Sequence, residues 1–242
     1  MAIKFRELKI PYHLIFIFFF LSAGIGIAGH NYYATQKEHI KKEKMYELST
    51  LTSIKVKRIQ SWFAERRGDA KIILENPIFG EHIKSWMENP TEKEKNKILK
   101  WMKSLYQYPE YTSILLFDNK GNLLLSADTK NKSIGPVAKG LIDKAVRLKK
   151  EVVSDIHKSE EVKENHIDTL VPVLENGNFP VGVLLIRINP YNYLYPLIQT
   201  WPTQSHTSEV MLLRREGNDA LFLNELRHRK NKIGRASCRE RV

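Results

Sequence analysis

Residues 10–29, IPYHLIFIFFFLSAGIGIAG, contain no Asp, Glu, Lys or Arg, and no other feature of the 242-residue chain restricts its fold so strongly. At about 1.5 Å of rise per residue, some 20 apolar residues in a helix cross a hydrocarbon core of roughly 30 Å. Ser22-Ala23-Gly24 and Ala28-Gly29 would suit cleavage of a signal peptide. The run is long for that, however, and a helical pattern continues directly out of it, so the expectation is a retained transmembrane helix. Lys4, Arg6 and Lys9 precede the segment, and Lys37, Lys41, Lys42 and Lys44 follow it. The positive-inside comparison is close to a draw and leaves orientation open.

From residue 30 to 75 there is no proline and a single glycine, Gly68, amid good helix formers. Met45, Leu48, Val56, Ile59 and Phe63 recur at helical spacing, with Leu51 and Trp62 widening the stripe. The pattern predicts a stalk helix of about 45 residues, roughly 65 Å long. It is too long to be a surface element of a small domain, and it offers a face for pairing with a second copy. A break near Gly68 is the alternative.

The pattern then changes. Asn76-Pro77 and Asn89-Pro90 bracket a short amphipathic helix carrying Phe79, Ile83, Trp86 and Met87. A second helix follows over residues 91–106, opened by a capping box of Thr91 and Glu94. Residues 112–117 and 122–127 read as strands around the turn Asp118-Asn119-Lys120-Gly121. Pro136 opens another helix. Strand-like runs follow at 151–157, 167–174 and 181–188, the last two joined by Glu175-Asn176-Gly177-Asn178. The fold class is α+β: an antiparallel sheet of about five strands with helices packed over one face. Residues 210–215 and 220–226 repeat the strand–turn–strand pattern. They read as the first hairpin of a second, truncated lobe, or alternatively as a completion of the first sheet.

Residues 233–242 back-translate to a string that resembles a common sequencing adapter and are set aside from fold reasoning. Natural sequence is then expected to stop near Lys232. The exclusion removes three arginines, one glutamate and Cys238, the only cysteine, so the formal charge falls from +12 to +10. No disulfide or thiol chemistry is left. The positive charge is dispersed rather than gathered into a stripe with stacking aromatics, which argues against nucleic acid as a partner.

In order, these elements resemble double Cache sensor domains, the PAS-like extracytoplasmic heads of bacterial membrane receptors. The likeness is carried by residues 59–77 (IQSWFAERRGDAKIILENP), 112–127, 170–190 (LVPVLENGNFPVGVLLIRINP) and 194–230. It implies a cytoplasmic tail at 1–9, a transmembrane helix at 10–29 and a stalk at 30–75. A membrane-distal lobe at 76–190, a linker at 191–208 and the start of a proximal lobe at 209–232 would follow. It further implies an inner-membrane location, an extracytoplasmic head, a homodimer through the stalk, and small-ligand sensing (an amino acid or carboxylate). The sensor would feed a histidine kinase or diguanylate cyclase that lies outside this chain. A chemoreceptor, or an anchored binding module with no output, is the alternative.

Strand alternation selects candidate ligand contacts. Asp155 and His157 share a face with Val153. Ser126 and Asp128 share one with Leu124, and Arg187 aligns with Val181, Val183 and Leu185. Asp155 and Arg187 would suit the amine and carboxylate of a small ligand, and the resemblance places the pocket between the sheet and the helices and loops above it. Asp155-Ile156-His157 and His166-Ile167-Asp168 mirror each other around a polar loop. Their separation by residues 158–165 is not a recognised zinc spacing; they read as solvated loop ends, with no metal and no cofactor expected. Asp118-Asn119-Lys120-Gly121 lacks the acidic ligands of a calcium loop. Tyr106, Tyr108, Tyr111, Tyr191, Tyr193 and Tyr195 read as packing residues. No nucleophile–base pattern, HExxH or phosphate-cradling loop occurs, so no catalysis is expected of this segment.

Overall fold

The computed structural model describes residues 12–128, 133–200 and 209–224, and the backbone of 235–237. The 1–9 tail, part of the linker (201–208) and residues 225–234 lie outside that set.

The first element is one uninterrupted helix, α1 (Tyr12–Leu74), which runs through Gly68 without a break. Two compact units divide at Val56 and Lys57. The first contains the helical segment that is long and apolar enough to cross a membrane, and its large apolar side chains are exposed rather than packed.

The second unit contains the end of α1 and the sheet. Helix α2 (Pro77–Glu88) starts on Pro77, with Asn76 accepting a bond from the Phe79 amide at 3.3 Å. Helix α3 (Glu92–Ser104) is capped by Thr91, which accepts from the Glu94 amide. Glu94 turns its own carboxylate to Lys97 and His82. After a single 3-10 turn come β1 (Tyr111–Phe117), β2 (Leu123–Ser126), α4 (Pro136–Leu148), β3 (Val152–Val153), β4 (Ile167–Glu175) and β5 (Phe179–Ile188). The five strands form an antiparallel sheet in the order β2-β1-β5-β4-β3. The β4–β5 turn uses left-handed backbone at Asn176 and Gly177, the chemistry that short hairpins need.

Helices cover both faces of the sheet, not one as the sequence suggested. On one face Trp62, Ala70, Ile73, Ile83 and Met102 of α1–α3 pack with Ile114, Leu116, Leu184 and Ile186. On the other, Ala138, Ile142 and Ala145 of α4 pack with Leu115, Phe117, Leu170 and Leu185. The cause is visible in β1, β4 and β5, whose central residues are buried without alternation; a strand apolar on both sides needs cover on both.

The run at 151–157 shrinks to two paired residues, beyond which one backbone bond from Ser154 to Asp168 and the isolated bridge His157–His166 continue the ladder. A short helix, α5 (Leu194–Gln199), follows the sheet. Strands β6 (Leu213–Glu216) and β7 (Asp219–Phe222) then form a separate hairpin. It pairs with β8 (Arg235–Ser237), which falls in the segment read as adapter-derived.

Candidate functional site

A polar row crosses the α4 face of the sheet. Ser113 on β1 lies opposite Arg187 on β5, and Arg187 lies opposite Asp168 on β4. The Asp168 carbonyl in turn accepts from the Ser154 amide, just past β3. Ser113, Arg187 and Asp168 are at most 1% exposed. Taking a charge out of water costs several kcal/mol unless it is paired and hydrogen-bonded, and here it is. Arg187 Nε donates to Asp168 Oδ1 at 2.8 Å and one terminal nitrogen to Oδ2 at 3.3 Å. The other terminal nitrogen donates to the Ser133 carbonyl, three residues before α4, at 3.2 Å.

The end of the row holds two imidazoles. The backbones of His157 and His166 form the bridge noted above, and their rings lie 4.2 Å apart between centroids. Each Nδ1 sits 2.9 Å from a backbone carbonyl, Asp155 for His157 and Glu164 for His166. A carbonyl only accepts, so each Nδ1 carries a proton, and in the neutral ring it is Nε2 that keeps the lone pair. Both Nε2 atoms are buried with no hydrogen-bond partner. They face Asp168 Oδ2 at 3.8 Å from His157 and 3.6 Å from His166. Burial holds the His166 imidazole below its ordinary pKa, with the Arg187 and His157 neighbours adding to the effect against the hydrogen bond to the Glu164 carbonyl and the pull of Asp168. The expected solvated loop ends are thus a buried cluster, because antiparallel pairing folds the two mirrored tripeptides onto each other.

The sequence-selected residues fare differently. Arg187 lies at the centre of the row, but its partner is Asp168. Asp155 does not meet it: its side chain is 78% exposed and stands 3.7 Å from Arg214. β3 ends at Val153, so alternation no longer governs the orientation of Asp155. His157 belongs to the cluster. Ser126 pairs across the ladder with Leu115, whose side chain packs under α4, and donates to the Asp128 carbonyl. Asp128 is half-buried beyond the end of β2.

A second arrangement joins the end of α1 to the sheet. Tyr111 donates to Asp69 Oδ2 at 2.9 Å, and Arg66 donates to Glu110 Oε1 at 2.8 Å. The Arg66 guanidinium also lies over the Tyr108 and Tyr111 rings, 5.0 and 5.6 Å from their centroids. Trp62 stacks on Tyr193, 6.1 Å between ring centroids. Three of the tyrosines read as packing residues therefore act as contacts for the helix.

No protein-family model and no curated protein matches the chain. Solved structures share its fold. The ligand-binding domain of the Pseudomonas aeruginosa amino acid chemoreceptor PctC, in complex with GABA, aligns over 74% of this chain and 73% of its own, at 14% identity and a TM-score of 0.50. The extracellular domain of vpHK1S-Z8, assigned as a histidine kinase, aligns over 72% and 65%, at 11% identity and a TM-score of 0.51. The ligand-binding domain of the Pseudomonas fluorescens chemoreceptor CtaA, in complex with L-isoleucine, aligns over 72% of this chain but 64% of its own, at 14% identity and a TM-score of 0.46. This chain thus spans under two thirds of the CtaA and vpHK1S-Z8 domains. It shares the fold of the PctC ligand-binding domain and of the vpHK1S-Z8 extracellular domain, in keeping with the PAS-like sheet that the order of elements suggested.

Proposed function

We propose that this chain is the extracytoplasmic input of a bacterial inner-membrane receptor, anchored by the apolar part of α1. It senses a small amino acid or carboxylate ligand on the α4 face of the sheet. The observation that carries this reading is the buried polar row on that face. A structural core gains little from a paired Arg and Asp that apolar residues of similar volume could replace, whereas a recognition surface needs fixed charges. The guanidinium nitrogen bonded to Ser133 is the natural point of entry, since an incoming carboxylate would replace a neutral carbonyl with a charged, bidentate partner. Ser126 and Asp128, at the end of the neighbouring strand, would complete the polar surroundings.

Signal transfer follows from the same elements. A ligand that binds one arrangement of the row more tightly than another shifts the population of β1 and β5. β1 is gripped by Arg66 and Asp69 of α1 through Glu110 and Tyr111, and α1 contains the membrane-spanning stretch. Two copies would pair along Met45, Leu48 and Val56, all exposed on α1. The output domain is a histidine kinase or diguanylate cyclase.

A thermal-shift and calorimetric screen of the full chain in lipid nanodiscs, against the common amino acids and small carboxylates, tests the reading. A hit whose binding is lost in R187K but retained in D155N is expected. If no member of the set binds, or if R187K binds the hit as well as wild type, this site assignment fails.

A further inference from the structure

We propose that His157, His166 and Asp168 form a site for a divalent transition-metal ion of the zinc class, between β4 and the segment that follows β3. The site shares Asp168, and through it Arg187, with the polar row read above as the ligand site, but it is tested by metal uptake alone, so its failure leaves the amino acid or carboxylate reading standing.

Four observations support it. First, the donor set is two imidazole nitrogens and one carboxylate oxygen, and the three ligand atoms lie within 4.8 Å of one another. Zinc–nitrogen and zinc–oxygen bonds of about 2.0–2.2 Å put tetrahedral ligand atoms roughly 3.3 Å apart. The observed 3.6 and 3.8 Å from Asp168 Oδ2 to the two imidazoles need only a small contraction around an ion, and the third separation, within 4.8 Å, closes by at most about 1.5 Å through rotation of the rings.

Second, the tautomers are already set. Both Nδ1 atoms are committed to backbone carbonyls, which directs both Nε2 lone pairs inward. A metal-bound histidine makes this same outer-shell bond, and it fixes the ring and raises its basicity. Third, both Nε2 atoms lack any hydrogen-bond partner although they are buried, and His166 is only 2% exposed. Buried polar atoms are nearly always satisfied; an ion would satisfy both at once.

Fourth, the carboxylate is oriented for the task. Arg187 Nε takes Asp168 Oδ1, and the Ser154 hydroxyl accepts from the Asp168 amide. Oδ2 is left facing the rings. Arg187 also sets the character of the site. Its cationic nitrogen, 3.3 Å from the same Oδ2, opposes a second positive charge. The ion is therefore exchangeable rather than locked in, and the His157 side chain, 11% exposed, gives it a route to solvent. Three protein ligands leave at least one coordination position for water or another small donor.

The test uses the full chain in nanodiscs, stripped with a chelator, then titrated with Zn(II) by calorimetry and with Co(II) by visible absorption. Wild type is expected to take up one Zn(II) and to give the intense Co(II) bands of a four- or five-coordinate site. H166Q should weaken Zn(II) binding at least about tenfold, and H157Q, at the more open position, should do the same. H82Q, which alters the separate His82–Glu94 contact, should leave affinity and stoichiometry unchanged. Melting curves of the metal-free proteins identify any variant that fails to fold, and H157Q then carries the comparison. Zn(II) should also raise the Tm of wild type in a concentration-dependent way and leave that of H157Q unmoved. Wild type that binds no Zn(II), or H157Q and H166Q that bind it like wild type, would overturn the proposal.

Discussion

Arg187 Nε donates to Asp168 Oδ1 at 2.8 Å across the two central strands, with both side chains sealed from solvent. Removing one member strands the other. R187M should cost about 3–5 kcal/mol, the range for a buried charge that has lost its partner. The double variant R187M/D168L should lose less than R187M alone, since two apolar side chains of similar volume replace the pair. Urea denaturation of the three proteins measures both quantities. A double variant less stable than the single one would show that the pair has further obligations within the row.

How far this pair could be read from sequence illustrates where such reading stops. Arg187 stood out as a charge within an apolar alternation, and the β4–β5 hairpin was marked by Asn176-Gly177. Counting outward from the turn brings Asp168 to the level of Arg187, but only after allowing for an irregularity in the ladder at Val173 and Leu174. One residue of error there moves every later side chain to the opposite face. Asp155 misled for the related reason that β3 ends two residues before it. The His157–His166 cluster was legible as a mirrored pair of tripeptides, but contact between them depends on tertiary pairing, which carries no local spacing signature. The long helix, the order of elements and the strand runs were open to periodicity. Cover on both faces was implied by the unbroken apolar runs at 114–117 and 183–186.

The Tyr111–Asp69 and Arg66–Glu110 contacts connect the strand to the helix, and they should differ in weight. Y111F deletes the bond donated to the partly solvated Asp69 carboxylate and the longer one accepted from Arg66 at 3.4 Å, and should cost about 1–2 kcal/mol. R66A leaves Glu110, 6% exposed, without its cation inside the fold, and should cost about 3 kcal/mol. A double-mutant cycle on Arg66 and Glu110 should return a coupling of about 1–3 kcal/mol. Additive losses would mean that the two side chains meet without energetic consequence.

Two helical glycines should respond in opposite directions to the same substitution. A β-carbon on Gly80 of α2 would collide with the Leu174 carbonyl of β4, whereas one on Gly68 of α1 meets nothing within 4 Å. Alanine is the better helix former by about 1 kcal/mol, so G68A should be neutral to stabilising by that amount. G80A must push α2 off the sheet and should destabilise by about 1–3 kcal/mol despite the propensity gain. Thermal melts of both variants decide the matter. A G80A protein as stable as wild type would mean that α2 can slide over β4 at little cost.

Acid should loosen the first hairpin turn at a pH below the ordinary carboxyl pKa. Asp118 is partly buried, which raises the pKa of a carboxyl. Bonds from the Asn122 side chain and amide and the Lys120 amide, with the Lys120 charge, outweigh this and hold it below its ordinary value of 3.8. With the folded pKa depressed, the unfolded chain binds more protons in the window between the two values. The carboxylate's contribution is therefore complete above pH 3.8 and is lost as pH falls through the lower, folded value. Amide shifts and hydrogen exchange at Lys120 and Asn122 should titrate with a midpoint below 3.8. D118N should abolish that transition and cost on the order of 1 kcal/mol at neutral pH. A midpoint at or above 3.8 would show that burial outweighs the hydrogen bonds, and that the turn is held by Gly121, left-handed at φ +84°, rather than by Asp118.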